Sequence, residues 1–444
     1  LPNFFVSLLL MYFLAIRLRI FPVISKDVSL KSVAMPAITL AIAMSAKYLR
    51  QVRATVLDEL SKDYVAGAKA RGVKFSVTLW KSIMKASLVT IITLLMLSVG
   101  NLLGGTAIVE SIFMWDGVGK MAVDAISMRD YPIIQAYVMW MAIIYVVVKS
   151  AYRSVIPVPG SENPSGRCET MSEKQNKNVT VRVQKIKKNH IKQKLVFFLI
   201  LAIGLVILAV FSEHLCPYDP YAQDLASALQ PPSLQHPMGT DTYGRDMLSR
   251  VISGARASIF STFILVAVIF VLGTAVGVCC GYFGGAADTV MMRISDICLA
   301  FPGLVFAMAI AAILGGGIQN AVIALAVVSW PKYSRIARGQ TLALKEEPYI
   351  HAAILAGDSS GQIMLRHILP NMLGPVLVTA MLDIGTMMME LAGLSFLGLG
   401  AQIPMAEWGS MMSSGRSMIQ TYPWVVLSPG IAIFISVVNF QSVR

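Results

Sequence analysis

Charge is what this chain has least of. Only 14% of its 444 residues are Asp, Glu, Lys or Arg, while 56% are hydrophobic. Soluble domains carry about 25% charged and 45–50% apolar residues, so the composition points to a polytopic membrane protein. Cysteine is sparse too. Cys168, Cys216, Cys279, Cys280 and Cys298 form no CxxC pair, which argues against a zinc site and a disulfide framework. There is no GxxxxGK[ST] loop to cradle a nucleotide. The nearest string, "GDSSGQ" at Gly357–Gln362, lacks the lysine. The chain is therefore expected to hydrolyse no ATP itself, and no cofactor is implied. It opens on Leu1 without a signal peptide, which reads as a fragment of a longer protein.

The net charge of +13 is concentrated. Between Lys149 and Lys194 stand eleven Lys/Arg against three Glu, or +8 in one connector. Such a run beside apolar segments marks a cytoplasmic loop under the positive-inside rule rather than a nucleic-acid surface. Ten stretches have spanning length and apolarity: 3–19, 33–49, 87–108, 132–149, 195–211, 257–281, 299–315, 318–335, 373–393 and 423–440. With 150–194 inside, alternation puts 50–86, 282–298 and 336–372 inside as well. Loops 109–131 and 212–256 lie outside and are rich in Asp and Glu. Loop 20–32, with Lys26 and Lys31, runs against the bias.

The chain repeats itself. Displaced by 285, Lys47–Gly72 falls on Lys332–Gly357 with eight of 26 positions identical, where ordinary composition gives roughly two. The matches are Lys47/Lys332, Tyr48/Tyr333, Arg50/Arg335, Arg53/Arg338, Leu57/Leu342, Tyr64/Tyr349, Ala68/Ala353 and Gly72/Gly357. The expected architecture is all-α, with two homologous transmembrane units. Residues 1–155 form a unit of four helices lacking its N-terminal part. Residues 156–194 are a basic cytoplasmic linker, and 195–444 form a unit of six helices.

Each copy contains a short polar segment in a cytoplasmic loop, "DYVAGAKARG" (63–72) and "PYIHAAILAG" (348–357). Small residues sit at close spacing in each: Ala66, Gly67, Ala68 and Ala70, then Ala352, Ala353 and Ala356. A helix with a small-residue face admits a partner close to its backbone, and the final glycine suits a helix C-terminus. An amphipathic connector resting on the membrane is the plainer alternative. Two matched copies favour helix-in-groove docking to a pseudo-symmetric soluble partner.

The pattern Tyr…Ala…Gly followed by Ile-Leu-Pro resembles the EAA loop of ABC-importer permeases. The first unit, with "LLGGTAIVESIFMWDGVGKMAVDAISMRDYP", is similar to the B-type permease of the dipeptide/oligopeptide/nickel group. The second, with "HPMGTDTYGRDMLSRVISGAR", "HILPN" and "LSFLGLGAQIPMAEWGSMM", is similar to its C-type partner. The resemblance implies type I importer permease units in a bacterial inner membrane. It implies two ATP-binding cassette subunits beneath the loops and a substrate-binding protein on the outer face. It makes Tyr64, Ala66, Gly67, Ala68, Gly72, Tyr349, Ala352, Ala353, Gly357 and Pro370 the ATPase-coupling residues. The motif's Glu is absent from both copies, where Ala66 and His351 lie nearby. The first copy has Met84-Lys85 where the second has Leu369-Pro370, which implies uneven docking. Met171 resembles the natural start of the C-type chain, so two neighbouring genes joined, or a true fusion, are both open.

Ionisable residues inside a span cost about 2.5–3.5 kcal/mol each at the membrane centre and mark function by default. Asp383 and Glu390, seven apart on one helical face, are expected to line the pathway, together with Met388; a packed polar pair is the alternative. The "GTMMME" run and 26 methionines invite a soft-metal reading, but methionine in an apolar helix is usually filler, and no metal site is assigned. In the outer loop "MGTDTYGRD", Asp241, Arg245 and Asp246 suit either the binding-protein face or an internal ion pair. The expected function is import of nickel or small peptides, with the closing strings leaning to nickel-type members and a general peptide permease as the alternative. A secondary transporter is disfavoured because its repeats are usually inverted, whereas here both segments fall on the cytoplasmic side.

Overall fold

The computed structural model describes residues 3–22, 29–128, 130–155, 177–299 and 301–442. Among them the chain is helical, and the only strand-like pairing is an isolated antiparallel bridge between Thr240 and Asp246. The first part runs α1 (Asn3–Leu10), α2 (Leu30–Leu60), α3 (Asp63–Ala70), α4 (Phe75–Thr78), α5 (Met84–Ile112), α6 (Val118–Met128) and α7 (Tyr131–Val155). Then come α8 (Lys177–Val210), α9 (Ser212–Leu215), α10 (Met247–Phe283) and α11 (Gly285–Cys298). The last part runs α12 (Gly303–Ile313), α13 (Ile318–Lys345), α14 (Pro348–Leu355), α15 (Ser360–Gln362), α16 (Leu369–Phe396), α17 (Trp408–Gly415) and α18 (Trp424–Ser442).

The succession α2 to α7 recurs as α13 to α18, and the recurrence reaches local geometry. A π-helical turn follows α4 at Leu79–Ile83, and another follows α15 at Ile363–Ile368. Both short polar helices end in the same six-residue motif. The N–H of Val73 donates to the Ala68 carbonyl and that of Gly72 to Lys69; the N–H of Asp358 donates to Ala353 and that of Gly357 to Ile354. The glycines sit at φ +76° and +89°, the left-handed cap that only glycine adopts without cost.

Among the described residues, five helices have the length and apolarity to cross a membrane: Lys31–Leu60, Tyr131–Val148, Met247–Phe283, Ser360–Phe396 and Trp424–Ser442. The pair α11–α12, bent by 92°, is a sixth if its two arms make one span. These fall on six of the ten stretches expected. The stretches at 3–19 and 195–211 correspond to shorter apolar helices, Asn3–Arg17 and Leu195–Val210. Those at 87–108 and 318–335 lie within α5 and α13. Residues 156–176 of the expected linker lie outside the described residues, and 177–194 belong to α8, continuous with the apolar stretch that follows.

The tightest packing joins α10 to α13. Gly273, Gly277 and Gly281 recur every four residues on α10. A Cβ on them would stand 2.5 Å from Tyr333 Cβ, 2.4 Å from the Ser334 carbonyl and 2.7 Å from Thr341 Cβ. Small residues at i, i+4, i+8 let two backbones touch, which is how helices associate where lipid offers no hydrophobic drive. The two parts share one apolar core. Phe4 stacks on Phe396 and Phe5 on Phe434, each with ring centroids 5.9 Å apart.

Candidate functional site

The repeated short segments α3 and α14 stand at equivalent places but are held differently. No residue of α3 is buried. Ala66 and Gly67 are exposed, Ala68 partly so, and a Cβ on Gly67 would meet nothing within 4 Å. Tyr64 donates a hydrogen bond to Glu59 Oε2 at 3.0 Å, and Lys62 donates to Glu59 Oε1 at 2.5 Å. That carboxylate holds the Lys62 ammonium above its ordinary value. In α14, Ile350 and Ala353 are buried, while Ala352 is exposed. The expected open face of small residues is thus turned in part: Ala353 packs inward and Ala352 remains outward. Asn371 donates to the Tyr349 hydroxyl at 3.3 Å, and His367 Nε2 lies 3.0 Å from Asp358 Oδ2 across the glycine turn. Pro370 stands where the π-helical turn passes into α16.

Exposed apolar side chains cluster about both segments: Phe75 and Trp80 in the first, Leu355 (89% exposed) and Leu365 in the second. They were not singled out from sequence, where they are indistinguishable from membrane-facing residues. The second segment is also braced from behind. Arg338 bonds Asp288 through two contacts of 2.5 Å, Arg335 pairs with Asp296, and Lys345 donates to the Tyr282 carbonyl at 3.0 Å.

Lys332 on α13 grips buried Asp383 on the membrane-length helix α16, its ammonium donating to both oxygens at 2.6 and 2.8 Å. A cavity of about 280 Å³ opens beside them, between α12, α13 and α16, and is lined by Lys332, Asp383, Thr386, Met387 and Glu390 among others. Helical spacing explains this set, since 383, 386, 387 and 390 share a face. Met388, one step further round, is buried at 2% exposure and does not line this cavity, whereas Met387 does.

In the loop before α10, Arg245 and Asp241 form an internal ion pair. Asp241, Arg245 and Asp246 are all buried. Arg245 Nε donates to Asp241 Oδ2 at 2.7 Å, and Asp246 caps α10 by accepting from the Ser249 N–H at 2.7 Å. His236 Nδ1 lies 2.9 Å from the same Asp246. Gly244 is required here, since a Cβ would stand 1.7 Å from the Asp224 carbonyl. The accessible polar groups lie elsewhere on this face, where Glu213, Tyr218, Asp219, Tyr221 and Arg256 line a cavity of about 690 Å³. Glu407, at the start of α17, accepts from the Gly409 and Ser410 N–H groups at 2.9 and 2.8 Å. Burial pushes its carboxyl above the usual range, against the pull of those N–H groups.

Several membrane-length helices in a repeated succession define a multi-pass membrane protein. Residues 1–156 and 273–443 match the family of binding-protein-dependent transport system inner membrane components, and the chain belongs to that family. It is a multi-pass inner-membrane permease subunit of a binding-protein-dependent ABC importer, without an ATPase site of its own. Over 260 residues, 59% of this chain and 84% of the relative, it is 42% identical to the dipeptide transport system permease protein DppC of Alkalihalophilus pseudofirmus. It is 42% identical over 242 residues, 54% and 81% of the two chains, to the probable D,D-dipeptide transport system permease protein DdpC of Escherichia coli. It is 40% identical over 238 residues, 53% and 79%, to the glutathione transport system permease protein GsiD of Pectobacterium atrosepticum. No relative named for nickel stands among these.

Proposed function

We propose that the chain moves small peptides across the inner membrane. In this reading residues 1–155 and 195–444 act as two permease units, and α3 and α14 seat in clefts of two ATP-binding cassette subunits. ATP binding closes those subunits, and the segments transmit closure into rocking of the packed helices. A ligand shifts such an equilibrium only if it grips the two states differently. The recurrence of the same glycine-capped helix, with exposed apolar neighbours, at two equivalent places is the observation that carries the coupling role. A substrate-binding protein docks on the outer face, over the cap that Asp241, Arg245 and Asp246 hold in shape, and the pathway runs past Asp383 and Glu390.

The substrate class rests on the relatives, which are named for dipeptide, D,D-dipeptide and glutathione transport. The expected lean to nickel finds no support in those names, and the peptide alternative takes its place. Uptake of a radiolabelled dipeptide and of radioactive nickel, in source cells with and without this chain, tests the reading. Loss of dipeptide uptake alone supports it; loss of nickel uptake alone overturns it.

A further inference from the structure

The cavity between α12, α13 and α16 holds one more carboxyl group than it has cationic partners. Lys332 and Asp383 cancel one another through their two contacts. Glu390 lines the same cavity two turns along α16, and among the described residues it makes no hydrogen bond or ion-pair contact. Ionised, the three groups sum to one negative charge, set in a span whose other cavity walls are largely apolar. An intramembrane carboxylate persists where a partner arrives to satisfy it. The register of the repeat sharpens this. Lys332 recurs as Lys47, but Asp383 and Glu390 fall on Ser98 and Gly105, so the carboxylates belong to the second unit alone.

We propose that Glu390 is a substrate-contacting residue and that this cavity is a subsite for the free ammonium group of the cargo. Its volume, about 280 Å³, equals that of roughly nine liquid waters at about 30 Å³ each, room for an aminoacyl end. The Lys332–Asp383 pair positions the site by keeping the lysine off Glu390. A divalent metal is the poorer fit, because hard and borderline cations take four to eight ligands. Among the described residues no group of three His, Cys, Asp or Glu is placed to hold one. The inference deepens the peptide reading and rests on it for the identity of the cargo.

The test uses the full chain with its ATPase partners in phosphatidylcholine nanodiscs, which supply no competing lipid amine. Saturation-transfer NMR compares alanyl-alanine amide, which has the ammonium and no carboxylate, with N-acetyl-alanyl-alanine, which has the reverse. The amide is expected to bind and the acetylated peptide not. Glu390→Gln is expected to weaken amide binding tenfold or more, and Glu390→Asp to recover part of it. A thermal unfolding midpoint for each variant identifies any that fail to fold. Equal binding of the two probes, wild-type binding by a folded Glu390→Gln, or displacement of the amide by micromolar nickel overturns the proposal. Should dipeptide uptake by cells fail while amide binding persists, the cargo reading falls and the ammonium subsite stands.

Discussion

Helices α2 and α13 begin the recurring succession and share Lys, Tyr and Arg positions, yet they live in different surroundings. The apolar stretch of α2 has 12% of its residues buried. In α13, ten side chains are buried, and four of them, Tyr333, Ser334, Ala337 and Thr341, lie against the glycine stripe of α10. Homologous sequence is thus not homologous burial; what decides is whether a neighbour with small residues lies alongside. The same contrast reaches the repeated short segments, with α14 anchored through Ile350 and Ala353 while α3 buries nothing.

The largest break in this comparison comes from the glycine stripe. Gly277→Leu drives a side chain into the α13 backbone, and overpacking of that kind costs more than about 3 kcal/mol when neither partner can yield. Ala41→Leu, on an exposed position of α2, is expected to change stability by less than about 0.5 kcal/mol. Thermal unfolding of the purified variants measures both. Comparable losses would mean that α2 is covered as tightly as α13.

A middle-sized effect separates the faces of α14. Ala353→Asp buries a charge and is expected to destabilise by about 2 kcal/mol or more, lowering the amount of folded protein. Ala352→Asp, on the exposed face, is expected to leave the unfolding midpoint within a degree or two while uncoupling ATP hydrolysis from uptake. Coupled transport by Ala352→Asp at the wild-type rate would remove α14 from the docking surface.

The smallest effect tests sameness rather than difference. Gly72→Ala and Gly357→Ala each force a Cβ into a left-handed turn, at a cost of about 1–2 kcal/mol. The two losses are expected to agree within about 0.5 kcal/mol, read by denaturant or thermal unfolding. A much larger loss at Gly357 would show that the turn there is tied to its surroundings through the Asp358–His367 contact.

Much of this was legible in the chain. The 285-residue displacement predicted the recurrence of short helix, glycine turn and long helix, because glycine at a helix end leaves the same mark in sequence as in φ. The Asp383–Glu390 face followed from a spacing of seven. Other features escaped for physical reasons. Met388 and Met387 differ by one step of a helix, and composition says nothing of which methionine looks into a cavity. Asp241, Arg245 and Asp246 are of opposite sign at short spacing, which serves an internal bond as well as a partner's. Lys332 was seen as a matched position but not as the partner of Asp383, because 51 residues separate them and only packing brings them together. The glycine stripe at 273, 277 and 281 was readable as a spacing of four and passed unremarked inside an apolar run.

The π-helical turns at Leu79–Ile83 and Ile363–Ile368 set a phase. A π-turn holds one residue more than the α-helix needs, and each residue is worth about 100° of rotation. Between a short polar segment and the long helix behind it, the wider turn absorbs that extra residue. Excising one residue from 363–368 would relax the turn to an ordinary α-helix and leave Asp383 and Glu390 facing the cavity. Excising one from the regular stretch of α16 between the turn and Asp383 has nothing to absorb it, and would swing both carboxylates by about 100°. A single deletion there would give a permease that still grips its motor but presents the wrong face to whatever passes through.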